Sequence, residues 1–477
     1  MGSILWDMNE RPEMSGAPKE WAESMFGGCE LGDVRRTRRL VDYAGRQAAN
    51  PGGTIHEVCA GDGAAAEAAY RLMRNNAIEA AALEAGPLAR NAARCAGVAV
   101  VLAIQDTTTL SYSHAASEQM GTLGGGRGFV VHSTLAVDGT TRDILGLVDQ
   151  QRWSRPATTS KRGNRSGRAA PYEERESYKW ELASQNIEKR LDSMDNVIQV
   201  CDREADIYEY LQARTERGHR YVVRANHDRQ LRGEDGSLWA SMAAQTRVGV
   251  YEVLLGQRGA EPATLGRGAR PARQTQTTRM AVKTASVRLR SPTETDESIS
   301  VNIIYAREIT PRESTKPLEW MLLTSEPIES LSQAVTVIEY YETRWLIEEF
   351  HNAWKSGCTI EQRRLQAPAS LERLAIITAH IAVRLLQLRC LTSVAPELPA
   401  DVLLEPDEWQ CLHLTTQPRH SLPTSPPSLR WVLETIAKLG GWRDTKRTGR
   451  IGWLSLWRGW RRFQERLVAW KIAKQHR

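Results

Sequence analysis

Phenylalanine is scarce. The 477 residues hold 4 Phe against 15 Trp and 12 Tyr. Indole rings fill cores, but they also stack on bases and sugars, so composition alone does not separate the two roles. Cysteine is sparing as well. Of the 7 Cys, no two lie two to four residues apart, and none forms a Cys-His cluster with zinc spacing. The odd count, with no apolar h-region in MGSILWDMNERPEM, predicts a reducing compartment. Long apolar runs are missing too. The longest, LAIITAHIAVRLLQL, is interrupted by His380 and Arg384 and reads as too short to span a bilayer. The sequence contains no P-loop, HExxH, GxSxG or EF-hand loop. GTLGGGRG does not open a helix after a strand, so it is no nucleotide cradle. These absences predict a soluble cytoplasmic protein with no membrane partner.

The length points to two or three domains. Net charge is +6, and it is unevenly spread. Residues 442–477 hold 11 Lys or Arg and 2 acids, a local +9, which leaves the rest slightly acidic. Such a tail is either a solvated face or a contact for a polyanion. At the other end, LGDVRRTRRLVDYAGRQAA predicts a helix capped by Asp33. Val34, Leu40, Val41 and Ala44 mark its apolar side, and Arg35, Arg36, Arg38 and Arg39 crowd the other. A second helix, AAAEAAYRLMRN, carries Arg71. Four Arg within five residues repel one another unless something anionic meets them, so these helices predict contact with nucleic acid.

From about residue 98 the period changes. VAVVLAIQDTTTLSY reads as a buried strand running into Asp106. GFVVHSTLAV, DGTT and RDILGLVDQ read as a hairpin, and RWSRPATTSKRGNRSGRAAP as a basic loop. NVIQVCD is a second buried strand ending at Asp202, and RYVVR a third. Residues 230–325 read as a β-rich insertion around the loop GQRGAEPATLGRGARPARQTQ. A helix follows at about 330–356 and another at 371–391. The Pro-rich stretch 395–428 reads as linker and irregular structure. An acid just past an apolar strand either caps a turn or, paired with a second on a neighbouring strand, shares a divalent cation such as Mg²⁺ or Mn²⁺.

YETRWLIEEFHNAWK adds a third acid. At about 100° per residue, Tyr341, Arg344, Glu348 and Lys355 fall within one stripe roughly 60° wide. One acid among two cations and a phenol suits a surface that binds a metal through Glu348 and phosphates through Arg344 and Lys355. An exposed helix with an i, i+4 pair, Arg344–Glu348, fits the same spacing.

DTTTLSY, CDREADIYEYL, RYVVR, WMLLTSEP and the Y-(2)-R-(3)-E-(6)-K pattern resemble the cut-and-paste DDE transposases of bacterial insertion sequences, in the Tn-five group of the IS-four family. The likeness extends to LGDVRRTRRLV and AYRLMRN in front, and to KLGGWRDTKRTG and LWRGW behind. It implies an α/β protein: a helical DNA-end-binding domain over 1–79, an RNase H-like catalytic core with the β-rich insertion over 80–394, and C-terminal helices for dimerisation and DNA contact over 395–477. It implies Asp106, Asp202 and Glu348 as catalytic ligands of two Mg²⁺ ions, with Mn²⁺ substituting. Tyr341, Arg344, Lys355 and Arg224 would hold phosphates, and Trp320 would stack on an extruded base. Arg35, Arg36, Arg39 and Arg71 would meet the transposon end. Trp431, Trp457 and Trp460 would pack where two subunits join on paired ends. The partners implied are double-stranded DNA, as transposon ends and target, and a second copy of the chain, in the bacterial cytoplasm at the nucleoid. GRQAANPGGTIHEV departs from the family pattern, so the end sequence does not carry over. A non-catalytic DNA-binding regulator and a plain nuclease of the same fold are the competing readings.

Overall fold

Residues 101–112 are apolar for four positions and then become polar. In the computed structural model, which describes residues 18–155, 170–233, 236–255, 276–293, 297–309, 317–445 and 451–475, they form the long strand β1 (Val101–Tyr112). It does not stop at Asp106 as the sequence suggests, because β3 (Gly126–Asp138) pairs with it along its whole length, from Val101–Asp138 to Tyr112–Arg127. A two-residue β2 (Thr122–Leu123) precedes β3, and β4 (Ile144–Trp153) returns antiparallel beside it. The expected DGTT hairpin joins them: Asp138 accepts from the Thr140 and Thr141 amides at 2.7 and 3.0 Å, which closes the turn. Two short apolar strands, β5 (Val197–Cys201) and β6 (Arg220–Arg224), add in parallel on the other side of β1. An antiparallel meander followed by two strands parallel to the first is an RNase H-like core.

The β-rich stretch does not form a separate body. Strands β7 (Arg247–Leu255), β8 (Gln276–Arg290), β9 (Ser298–Glu308) and β10 (Glu319–Thr324) continue the same sheet in the order β6-β10-β9-β8-β7. The Gly/Arg loop between β7 and β8 and most of the basic loop after β4 lie outside the described residues.

Helices cover both faces. The N-terminal set is α1 (Pro18–Phe26), α2 (Val34–Ala49), α3 (Ile55–Cys59), α4 (Gly63–Arg74) and α5 (Ala80–Ala93). On one face of the sheet lie α6 (Lys179–Arg190), α7 (Tyr208–Glu216) and the short α8 (Leu238–Ala244). On the other lie α9 (Leu331–Thr343), α10 (Trp345–Asn352) and α11 (Pro368–Val394). The tract expected to be too short for a membrane belongs to α11, whose 27 residues are long and apolar enough by composition to cross one; 72% of its most apolar window is buried in the protein. His380 packs edge-on against Phe26, and the Arg384 guanidinium lies 5.5 Å from the Trp21 ring centre, so both polar breaks are covered by α1.

The 395–428 stretch is more ordered than its Pro content suggests. It contains α12 (Pro406–Thr416), started by Pro406 and a Glu405–Glu408 capping box, with Trp409, Cys411 and Leu412 buried. The chain ends with α13 (Leu429–Leu439) and α14 (Trp453–Gln475). These two cross at Gly440 and Gly459. A Cβ at Gly459 would stand 1.7 Å from the Ile436 carbonyl oxygen, so only glycine permits that approach. Trp431, Trp457 and Trp460 pack inside this chain: Trp431 stacks on His413, Trp457 on Trp453, and Trp460 donates to the Ala49 carbonyl at 3.4 Å.

Candidate active site

The parallel register of β1 and β5 ends at Gln105–Cys201. The next residues are Asp106, still within β1 and paired with Ser133 of β3, and Asp202, just past the end of β5, so the two acids stand side by side where that pairing stops. Asp202 caps a turn, as strand-end acids often do, accepting from the Glu204 amide at 2.8 Å. Asp106 accepts from the Thr107 amide at 2.8 Å. Burial pushes the Asp106 carboxyl up to about 7; Arg344 pulls it down, and Asp202 and Glu348 push it further up. Asp202 is raised as well, first by burial and then by Glu204.

The single helix expected over 330–356 is two helices and a wide turn. At Arg344 the backbone tightens: its amide bonds the Tyr341 carbonyl at 3.0 Å, and the Ile347 amide bonds the Arg344 carbonyl at 3.2 Å. After α10 a π turn over Ala353–Gly357 carries Lys355. Arg344 is the hub. Its guanidinium lies 3.7 Å from Asp106 Oδ2, bonds the Glu348 carboxylate, and sits 6.0 Å from the Tyr341 ring centre. The i, i+4 pair foreseen from spacing is thus present, but it is half-buried and tied to a strand-end acid. Tyr341 is buried, which raises its phenol pKa; Arg344 and Arg224 pull it back. Lys355 turns instead toward Glu361, at 3.9 Å.

Arg224 donates to the Glu319 carbonyl at 3.2 Å. Beside it Trp320 lines a groove of about 680 Å³ together with Arg203, Arg224, Asn226 and Trp239. Among the described residues no three His, Cys, Asp or Glu side chains converge closely enough to grip a cation as they stand, since Glu348 is held by Arg344. The donor set still suits one. Carboxylates forced together under burial, one of them raised to about 7, are hard oxygen ligands that a divalent cation stabilises in the ionised form.

Sequence reasoning missed His351. It is buried, its Nδ1 lies 3.9 Å from Asp106 Oδ2, and its Nε2 has no partner among the described residues. Burial, with Lys355 and Arg344 adding, holds it neutral, with its pKa down at about 3. Its place three residues after Glu348 was the available signal.

The N-terminal arginines divide. Arg35 turns back to its own cap, Asp33, at 3.0 Å, and Arg36 donates to the Leu31 carbonyl at 2.9 Å. Arg36, Arg39, Arg71 and Arg74 line a concavity of about 540 Å³ in which Glu67 is the one acid. Arg74, unforeseen, follows Arg71 by one helical step on α4. Val34, placed on the apolar side by its spacing, is 62% exposed, because α2 starts beyond the edge of the core.

Three family comparisons cover most of the chain. The description "Transposase DNA-binding" matches residues 18–78, "Transposase DDE domain" matches 183–384, and "Transposase Tn5 dimerisation domain" matches 380–475. Asp202 and Glu348 fall inside the DDE match, and Asp106 precedes it. Among solved structures, the cryo-EM structure of a piggyBac transposase synaptic complex with hairpin DNA is similar at TM-score 0.30 and 10% identity, over 64% of this chain and 50% of that one. The chain therefore spans about half the length of that structure. With a DNA-binding, a DDE and a dimerisation segment in that order, the chain belongs to the DDE transposases that resemble the Tn5 transposase.

Proposed function

We propose that this chain is a DNA transposase that binds the inverted repeats at transposon ends and carries out metal-dependent nicking, hairpin formation and opening, and strand transfer into target DNA. The observation that carries the reading is the Arg344 guanidinium, which reaches Asp106 and Glu348 together while Asp202 stands beside Asp106 on the adjoining strand. That arrangement supports Asp106, Asp202 and Glu348 as the ligands of two divalent cations, Mg²⁺ or Mn²⁺, which when bound supply Lewis-acid activation of the attacking and leaving oxygens. In this reading Arg344 exchanges Glu348 for a DNA phosphate when the cations arrive. Tyr341 orients that guanidinium, and Lys355 and Arg224 hold neighbouring phosphates. Trp320 offers a stacking face to an extruded base, at the mouth of its groove.

The N-terminal concavity is the end-binding surface, and the domain limits of about 79 and 394 separate it and the C-terminal helices from the core. Arg39→Ala and Arg71→Ala each weaken end binding with little sequence preference. Each lowers the slope of log affinity against log salt by about 1, read by anisotropy across a salt series. An unchanged slope would remove the phosphate role.

Proton and cation compete for Asp106. Its folded pKa lies near 7, above the usual carboxylate range, so at pH 6 it must lose a proton before it ligates. The half-saturating Mg²⁺ concentration, read by thermal shift, rises about fivefold from pH 7 to pH 6 and flattens above pH 8. By the same sign, the metal-free protein loses this group's share of stability as pH rises from about 4 to 7.

The deciding experiment takes the DNA flanking the gene as a labelled duplex, with protein and Mg²⁺, on a denaturing gel. A hairpin product supports cut-and-paste chemistry. Retarded DNA on a native gel with no cleavage supports the alternative, a catalytically inactive DNA-binding regulator, and unspecific nicking supports a nuclease.

A further inference from the structure

Behind the two strand-end acids runs a line of polar side chains in what should be core. In a strand, alternate residues face opposite sides. Asp106 faces α9 and α10, so Gln105 and Thr107 face α6 and α7; Gln199 and Cys201 do the same beside Asp202. Gln105, Gln199 and His132 are 0% exposed.

These groups are bonded in series. Thr107 Oγ1 lies 2.9 Å from His132 Nδ1, and His132 Nε2 lies 3.3 Å from Gln105 Oε1. The Gln105 amide donates to Gln199 Oε1 at 3.2 Å. Gln199 Oε1 also accepts from Tyr210 OH at 3.0 Å and from Ser184 Oγ, and Tyr210 OH lies 3.6 Å from Cys201 Sγ. One assignment of protons satisfies the bonds of Thr107, His132 and Gln105, while Gln199 Nε2 has no partner among the described residues. His132 donates through Nε2 to the Gln105 carbonyl oxygen, which leaves Nδ1 to accept the Thr107 hydroxyl proton. That requires a neutral imidazole, and burial keeps His132 neutral.

Burying amides and an imidazole costs free energy that an apolar core of equal volume would not incur. What the series adds is a cross-link between β3, β1 and β5 at the level where the backbone ladder between β1 and β5 stops, at Gln105–Cys201. Beyond that pair β1 and β5 are no longer paired with each other, and Asp106 is held by the backbone only toward β3. We propose that Thr107, His132, Gln105 and Gln199 form a positioning network that holds the two acids in register for shared ligation. The proposal rests on the catalytic reading of Asp106 and Asp202 given above.

Thr107→Val keeps the shape and removes the hydroxyl donor; Thr107→Ser keeps the donor. Gln105→Met keeps the volume and removes the amide. In the full-length protein, thermal midpoint, retardation of end DNA, cleavage rate, and the Mg²⁺ and Mn²⁺ concentrations giving half the thermal shift are measured. The expected result is that Thr107→Val keeps a metal-free midpoint near the parent's, that Gln105→Met lowers it because the buried His132 Nε2–H loses its acceptor, and that both retain DNA binding. Both need about tenfold more metal and cleave at least about tenfold more slowly, the range of losses typical of groups that orient metal ligands. Thr107→Ser stays near the parent. Equal metal midpoints in Thr107→Val and Thr107→Ser, or losses in Thr107→Val that follow a fallen thermal midpoint, overturn the network. Asp106→Asn serves as the control: if it cleaves as fast as the parent, the catalytic reading fails first and the proposal goes with it.

Discussion

Glu348→Ala leaves DNA retardation intact and cuts the cleavage rate on the order of 10³-fold or more. With Glu348 as the proposed metal ligand, its loss removes several kcal/mol of transition-state charge stabilisation, at about 1.4 kcal/mol per tenfold. The geometry adds a second cause. Arg344 divides its charge between Glu348 and Asp106. Without Glu348 the guanidinium has only Asp106 among these acids, and it closes the remaining ligand to a cation. Glu348→Gln, which still accepts a hydrogen bond from Arg344, therefore loses cleavage but keeps more metal-induced thermal shift than Glu348→Ala. If Glu348→Ala cleaved within tenfold of the parent, the three-acid site would be wrong.

Arg152→Met is expected to be the most destabilising of the substitutions considered. Arg152, at the end of β4, is buried between Glu84 on α5, which it bonds directly, and Glu372 on α11, at 3.5 Å. It also donates to Gln150 at 2.9 Å. Burial raises the Glu84 pKa, and Arg152 opposes it. Losing the cation strands two carboxylates where β4, α5 and α11 meet, at a cost of about 3–5 kcal/mol. A urea titration checks this, and a loss below about 1 kcal/mol would sink it. Adding Glu84→Gln and Glu372→Gln to Arg152→Met recovers part of the stability, because the penalty lies in unpaired charge rather than lost volume.

Much of this protein could be read from local pattern. VLAIQD and VIQVCD are apolar runs that each read as a strand meeting an acid, although β1 continues past Asp106 to Tyr112. The DGTT turn and the Asp33 cap follow from side chains bonding nearby backbone. The Arg344–Glu348 pair follows from the helical repeat. What pattern could not show was adjacency. Nothing within either strand says that β1 and β5 pair in parallel, or that their ladder stops one residue short of both acids.

Other positions were misjudged because the deciding neighbour is distant in sequence. Val34 has the spacing of a core residue but lies past the core's edge. The proline content of 395–428 reads as linker, but Pro406 stands at a helix start, where proline is favoured. His351 gave only a helical step as its signal, and its nearness to Asp106 comes from how α10 lies across β1.

The sequence by itself determined the strands, the caps and the basic helix, because each depends on residues within a few positions of one another. Tertiary structure alone decided that the strands after β6 extend the core sheet and that Arg344 joins two of the acids. It also decided that the polar residues behind them form one bonded series, because these facts depend on contacts between segments about 25 to 250 residues apart.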